Sequence, residues 1–215
     1  MKNPESILAH YSDLLQKHGK DTKALPLDWP TEAVQERNFH AVTQLFAHER
    51  TPFTVYEVGC GLGDMADHLR RHHPLASYAG CDINPAMVEN ARGLRPGLAL
   101  EVRDILLEPP PESDYIVASG IFNLHFGADQ TQWQEHIFRM LSVMYASARK
   151  GIASNFHTSY VDWKKERDYY QDPCAVFDFA KRQLSKFVEI RHAYYPWEYA
   201  LLVYREAVPF PEAAS

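Results

Sequence analysis

The sequence predicts an α/β chain: a doubly wound, seven-stranded, mostly parallel sheet, its last two strands an antiparallel pair, with an N-terminal helical cap. Three observations predict it. The apolar, β-branched run Phe53 to Val58 drops into three alternating glycines and then a helical segment. From Thr54 onward, strand-like runs alternate with stretches at helical spacing, the pattern of right-handed crossovers between parallel strands. The last two apolar runs are joined only by Tyr195-Pro196-Trp197 or so, too short for a parallel crossover.

In chain order, Ile7, Leu8, Tyr11, Leu14 and Leu15 fall at the spacing of an amphipathic helix over Pro4 to His18, which Gly19 stops. A loop with Pro26 and Pro30 follows and carries Asp28-Trp29, an exposed-looking pair. Thr31 caps a second helix to about His48, with Val34, Phe39, Val42, Leu45 and Phe46 inward. Residues 1–50 therefore read as a helical cap over the sheet, with plain extra packing on it as the equal alternative. Strands are expected at about 54–58, 77–81, 98–103, 114–118 and 150–155, with helices at 63–73, 85–92 and 129–148. An irregular loop, Ser119 to Gly127, precedes the longest helix. A helical region near 173–186 and strands at 187–194 and 197–204 complete a domain over 51–206. Residues 207–215, with Pro209 and Pro211, read as a frayed tail.

The net charge of −6 argues against a nucleic-acid partner, whose phosphates demand a basic face. No apolar run approaches the ~18 residues of a membrane span, and Met-Lys-Asn-Pro-Glu-Ser is no secretory leader. Small-molecule partners are what remains. Cys60, Cys81 and Cys174 form no Cys-x-x-Cys pair; each reads as a small buried hydrophobe in a reducing cytoplasm.

The glycine loop presents backbone N–H groups and a helix N-terminus to a ligand. A dinucleotide loop would need a third glycine at position 64, which is Asp, and there is no phosphate P-loop. Glu57, two residues before Gly59, would repel a pyrophosphate and suits a ligand with a cationic or hydroxyl-rich end.

These residues resemble the class I S-adenosylmethionine (SAM) dependent methyltransferases over roughly residues 53 to 204. Glu57-Val58-Gly59-Cys60-Gly61-Leu62-Gly63 matches the superfamily's first motif, Gly80-Cys81-Asp82-Ile83-Asn84 the second, and Val102-Arg103-Asp104-Ile105 the third. The resemblance implies a Rossmann-like SAM-binding domain in which Asp82 takes the ribose hydroxyls and Ile83 lies against the adenine. It also implies that Asp104 accepts from the adenine amino group with Ile105 adjacent, and that Ser119 lines the methionine end. Arg37 is a candidate for the methionine carboxylate through its bidentate fork.

Within the superfamily, Ala118-Ser119-Gly120-Ile121-Phe122-Asn123, Ser154 to Tyr160 and Asp172-Pro173-Cys174 resemble the SAM-cyclising azetidine-2-carboxylate synthases. Those enzymes close the amino acid's own amine onto its γ-carbon and expel 5′-methylthioadenosine. Asn123 and Tyr160 would then orient the amine, with Tyr11, Trp29, Phe122, Phe126 and Tyr160 offering aromatic faces to the sulfonium. The alternative is methyl transfer to a small acceptor, with His125 or His157 as base. His68 and His72, at i and i+4, read as a solvated helix face, and no metal is expected.

Overall fold

A computed structural model describes residues 4–19, 25–125 and 127–208. Phe126 and the chain beyond 208, including both tail prolines, lie outside the described residues.

Helix α1 (Pro4–His18) ends at Gly19, whose φ of 72° turns the chain while its N–H returns to the Leu15 carbonyl at 2.9 Å. Helix α2 (Glu32–Thr43) starts on Thr31, whose hydroxyl accepts from the Val34 N–H at 3.2 Å. It stops short of His48 because Gln44 to Phe46 tighten into a 3-10 turn. That turn still delivers Leu45 and Phe46 to the core.

The alternating body follows as β1 (Phe53–Val58), α3 (Asp64–His72), β2 (Ala76–Asp82), α4 (Pro85–Leu94), β3 (Ala99–Val102) and β4 (Ser113–Ala118). It continues as α5 (Gln130–Ser147), β5 (Ala148–His157), α6 (Pro173–Phe179), β6 (Phe187–Arg191) and β7 (Glu198–Tyr204). The single seven-stranded sheet has the order β3-β2-β1-β4-β5-β7-β6. β7 runs antiparallel to both neighbours, with Ile152 opposite Val203 on one side and Val188 opposite Val203 on the other. All other pairs are parallel. The helical region after β5 is shorter than expected in α form: α6 gives way to a π turn over Ala180–Leu184.

One face of the sheet packs Ile116, Ala118 and Ile152 under Ile137, Leu141 and Met144 of α5. The other face packs Val55, Val117 and Leu202 under Phe39 and Val42 of α2 and Met65 and Leu69 of α3. Helix α2 is thus a core layer and not only a cap.

The order of strands reverses between β1 and β4, and the crevice at their C-terminal ends is where an open α/β sheet receives a ligand. The cap closes on that crevice. Trp29, expected on the surface, is buried. His68 also departs from expectation: it is fully buried, and only His72 of that pair reaches solvent. Cys60 and Cys81 are buried as expected, whereas Cys174 is exposed at the start of α6. Among the described residues no helix is long and apolar enough to cross a membrane.

Candidate functional site

The turn after β1 is clasped to the end of β2. The N–H groups of Gly59 and Cys60 both reach the Cys81 carbonyl at 2.8 Å. The Gly61 N–H donates to Asp82 Oδ2 at 3.0 Å, and the Asn84 N–H donates to Oδ1 at 2.8 Å. Arg95 holds the turn from below, donating to the Leu62 carbonyl at 2.7 Å and to Asp64 at 2.5 Å. Gly63 begins α3.

Above the turn lies a cavity of about 410 Å³. Its wall includes Glu57, Gly59, Cys60, Gly61, Asp82, Ile83, Asp104, Ile105 and Ser119, nine of the eleven residues expected to hold the cofactor. They come from β1, the loops after β2 and β3, and the end of β4. Gly63 turns the chain below the wall rather than lining it.

The cap supplies the roof. Tyr11 of α1, Trp29, and Gln35 and Phe39 of α2 line the cavity. Gly120 has φ of 80°, and a Cβ there would stand 2.5 Å from Trp29 Cζ2; at Gly61 it would stand 2.5 Å from Leu27 Cδ2. The cap therefore settles on backbone that only glycine leaves open. Asn84 ties α1 down through Ser12 Oγ at 3.2 Å. Asp28 bridges His10 of α1 at 3.1 Å and Arg167 at 3.0 Å.

The cavity wall is acidic, with Glu57, Asp64, Asp82 and Asp104 in its lining. Burial pushes the Glu57 carboxyl up to about 8, against the Tyr78 hydroxyl that donates to it at 2.5 Å, with Asp64 and Asp82 adding to the rise. Burial likewise raises the Asp82 carboxyl, while the N–H groups of Asn84, Gly61 and Ile83 pull it back. The Ser119 hydroxyl is buried in the wall with no hydrogen-bond partner. So is Nδ1 of His136, whose pKa burial lowers.

Arg37, Asn123 and Tyr160 do not line this cavity. Arg37 stacks 3.6 Å from the Tyr195 ring centroid and reaches Glu198 at 3.5 Å. Two residues along a helix is a rotation of ~200°, so Gln35 and Phe39 face the cavity while Arg37 faces away. Asn123 spends its side-chain oxygen on the His157 N–H at 2.9 Å and its carbonyl on the Tyr169 N–H at 2.8 Å. Tyr160 is 65% exposed. Neither candidate base is at the wall either. His125 has its ring nitrogens 3.1 and 2.8 Å from the carbonyls of Ala128 and Glu166, and His157 Nε2 lies 3.7 Å from Glu198.

Sequence reasoning missed Gln35, Asp64 and His136 on the wall. Gln35 and Phe39, at i and i+4, were the available signal for an inward face of α2. Asn155 is fully buried; it accepts from the Gly120 N–H at 2.9 Å and donates to Asn38 Oδ1 at 2.9 Å.

A methyltransferase-domain family model matches residues 56–143, the span of all three acidic motifs. The Mycobacterium tuberculosis protein Rv1506c, named as a methyltransferase, is 40% identical over 154 residues, 71% of this chain and 93% of that protein. The chain belongs to the class I SAM-dependent methyltransferase superfamily. A trans-aconitate 2-methyltransferase of Methylobacterium nodulans is 31% identical over 101 residues, but the match spans 46% of this chain and 36% of that enzyme. Among solved structures, the magnesium protoporphyrin IX methyltransferase of Synechocystis, with SAM bound, superposes with a TM-score of 0.65 at 14% identity, covering 95% and 98% of the two chains. An O-methyltransferase family protein of Burkholderia thailandensis gives 0.64 at 14% identity, covering 94% of this chain and 63% of that one. These two likenesses establish the methyltransferase fold and no substrate. SAM is the superfamily's cofactor.

The contact between the cap and the loop after β4 has a direct test. Gly120→Ala should displace Trp29 from its buried seat, seen as a red shift of indole fluorescence with cooperative unfolding retained. An unshifted spectrum would mean that Trp29 does not rest on Gly120.

Proposed function

We propose that the chain is a SAM-dependent methyltransferase for a small acceptor and that the cavity over the glycine turn is its SAM site. The observation that carries this reading is the convergence of eight motif residues on one cavity whose wall also holds the unpartnered Ser119 hydroxyl. A volume of about 410 Å³ suits a small-molecule site.

Asp82 would take the ribose, since a carboxylate offers ~four acceptor positions and backbone N–H groups use two. Ile83 and Ile105 would hold the adenine faces, and Asp104 its amino group. Ser119, Gln35 and Glu57 would meet the amino-acid end. SAM supplies a methyl group on a positively charged sulfur. Tyr11, Trp29 and Phe39 replace water around that charge, each aromatic face contributing ~0.5–2 kcal/mol. The cap keeps competing water away from the reacting atoms.

Methyl transfer is preferred over cyclisation for a specific reason. The cyclisation reading needs Asn123 and Tyr160 against the cofactor's amine, but the first is bound to backbone and the second faces solvent. The curated relatives point the same way. A malonyl-[acyl-carrier protein] O-methyltransferase of Ilyobacter polytropus, 28% identical over 120 residues, matches this chain over 41% of its own length. With neither His125 nor His157 on the wall, the histidine placed to deprotonate a small acceptor is His136, whose Nδ1 is unpartnered in the wall and whose pKa burial lowers.

Product analysis separates the two reactions. With SAM alone, no 5′-methylthioadenosine should form above spontaneous decay; with a small acceptor added, S-adenosylhomocysteine should form in step with methylated product. Methylthioadenosine released with equal azetidine-2-carboxylate would overturn the reading.

Glu57 gives a second outcome. Its carboxyl is largely protonated at pH 7 in the free protein, and a cationic ligand end stabilises the ionised form. Binding SAM should therefore release a proton, and affinity should rise from pH 6 through about 8 as the carboxyl becomes ionised before binding. Calorimetry at pH 7 in buffers of different ionisation enthalpy measures that proton. Glu57→Gln should abolish the release; an unchanged release would assign it to another group.

A further inference from the structure

Away from the cofactor cavity, Glu36 of α2 faces His68 and His72 of α3. The ligand atoms of all three lie within 4.8 Å of one another. Glu36 Oε1 is 2.8 Å from His68 Nδ1 and 3.2 Å from His72 Nε2. From these positions we infer a divalent-metal site, filled best by zinc, formed by Glu36 Oε1, His68 Nδ1 and His72 Nε2.

Two nitrogens and a carboxylate oxygen are the donor set of a three-ligand zinc site with an open fourth position. Metal–ligand bonds of ~2.0–2.1 Å in tetrahedral geometry place ligand atoms ~3.3 Å apart. The two edges from Glu36 Oε1, 2.8 and 3.2 Å, are close to that spacing, and the third, between the histidine nitrogens, is within 4.8 Å.

The buried Thr43 hydroxyl lies 3.2 Å from His68 Nε2 and holds that end of the ring, which turns Nδ1 toward Glu36 Oε1 at 2.8 Å.

The surroundings match the outer shell of a metal site, where each ligand is held by a further hydrogen bond. Thr43 fixes the His68 ring, and Arg71 Nη2 donates to Glu36 Oε2 at 3.0 Å, leaving Oε1 to the metal. His40 and His73 stand with ring centroids 6.5 and 6.1 Å from His68, outside the cluster. His72 is 46% exposed at its side chain, which gives an ion and a fourth-position water an entry path.

The site would join α2 to α3 next to the cofactor cavity. Gln35, beside Glu36, donates to Asp64 at the start of α3 at 3.1 Å, and both line the cavity. This is a structural clamp and places no metal at the reacting atoms.

Zinc titrated into the metal-free full chain against a chromophoric chelator should bind at one equivalent, and cobalt(II) should give the visible bands of four-coordinate geometry. His72→Ala and Glu36→Gln should each weaken zinc by more than the ~10–100-fold that loss of an outer-shell partner costs. Both should also abolish the cobalt bands and the zinc-induced rise in melting temperature, while His192→Ala keeps all three. His72 is half-exposed, so its variant folds and keeps the test decisive. No stoichiometric binding, or binding and cobalt bands unchanged in either ligand variant, would overturn the inference.

Discussion

The rest of the site depends on how the glycine turn is fastened to the end of β2. Gly59, Cys60 and Gly61 direct three consecutive N–H groups at Cys81 and Asp82. That clasp fixes the floor of the cavity and leaves the Asp82 carboxylate oriented with acceptor capacity to spare. Hydrogen bonds to charged groups contribute ~1.5–3 kcal/mol each, so the acid is a fastener whose remaining acceptor capacity faces the cavity. The cost is electrostatic. Glu57, Asp64 and Asp82 share one pocket, and burial drives the Glu57 carboxyl toward its neutral form.

The roof and floor are joined by buried polar contacts that can only be made together. Asn155 spans the Gly120 N–H and Asn38, and Asn38 donates to Glu198 at 2.7 Å. Leaving such a buried group unpaired costs ~1–3 kcal/mol, so the loop after β4, helix α2 and strand β7 hold one another in register. Helix α2 therefore serves three surfaces. Phe39 and Val42 pack on the sheet, Gln35 faces the cavity, and Glu36 faces the histidines of α3.

Most of the fold was legible because periodicity and turn chemistry are local. The glycine spacing, Asp82 and Asp104 fell in order along the chain, and the short joint at Tyr195 to Trp197 betrayed the antiparallel strand. What was not legible depended on distant contacts. Trp29 is buried by Gly120, and His68 by Thr43 and Phe39, far away in sequence. Arg37 and Asn123 had suitable chemistry, but helix rotation turned one away and a backbone N–H claimed the other. Tyr160 follows a strand end, as site residues often do, yet its ring lies outside the crevice.

The most direct test of this account is a crystal structure of the complex with S-adenosylhomocysteine. The account predicts the ribose hydroxyls on Asp82, the adenine between Ile83 and Ile105, and the amino-acid end at Ser119 beneath Trp29. Ligand bound outside this cavity, or an Asp82 carboxylate that touches no ribose oxygen, would contradict it.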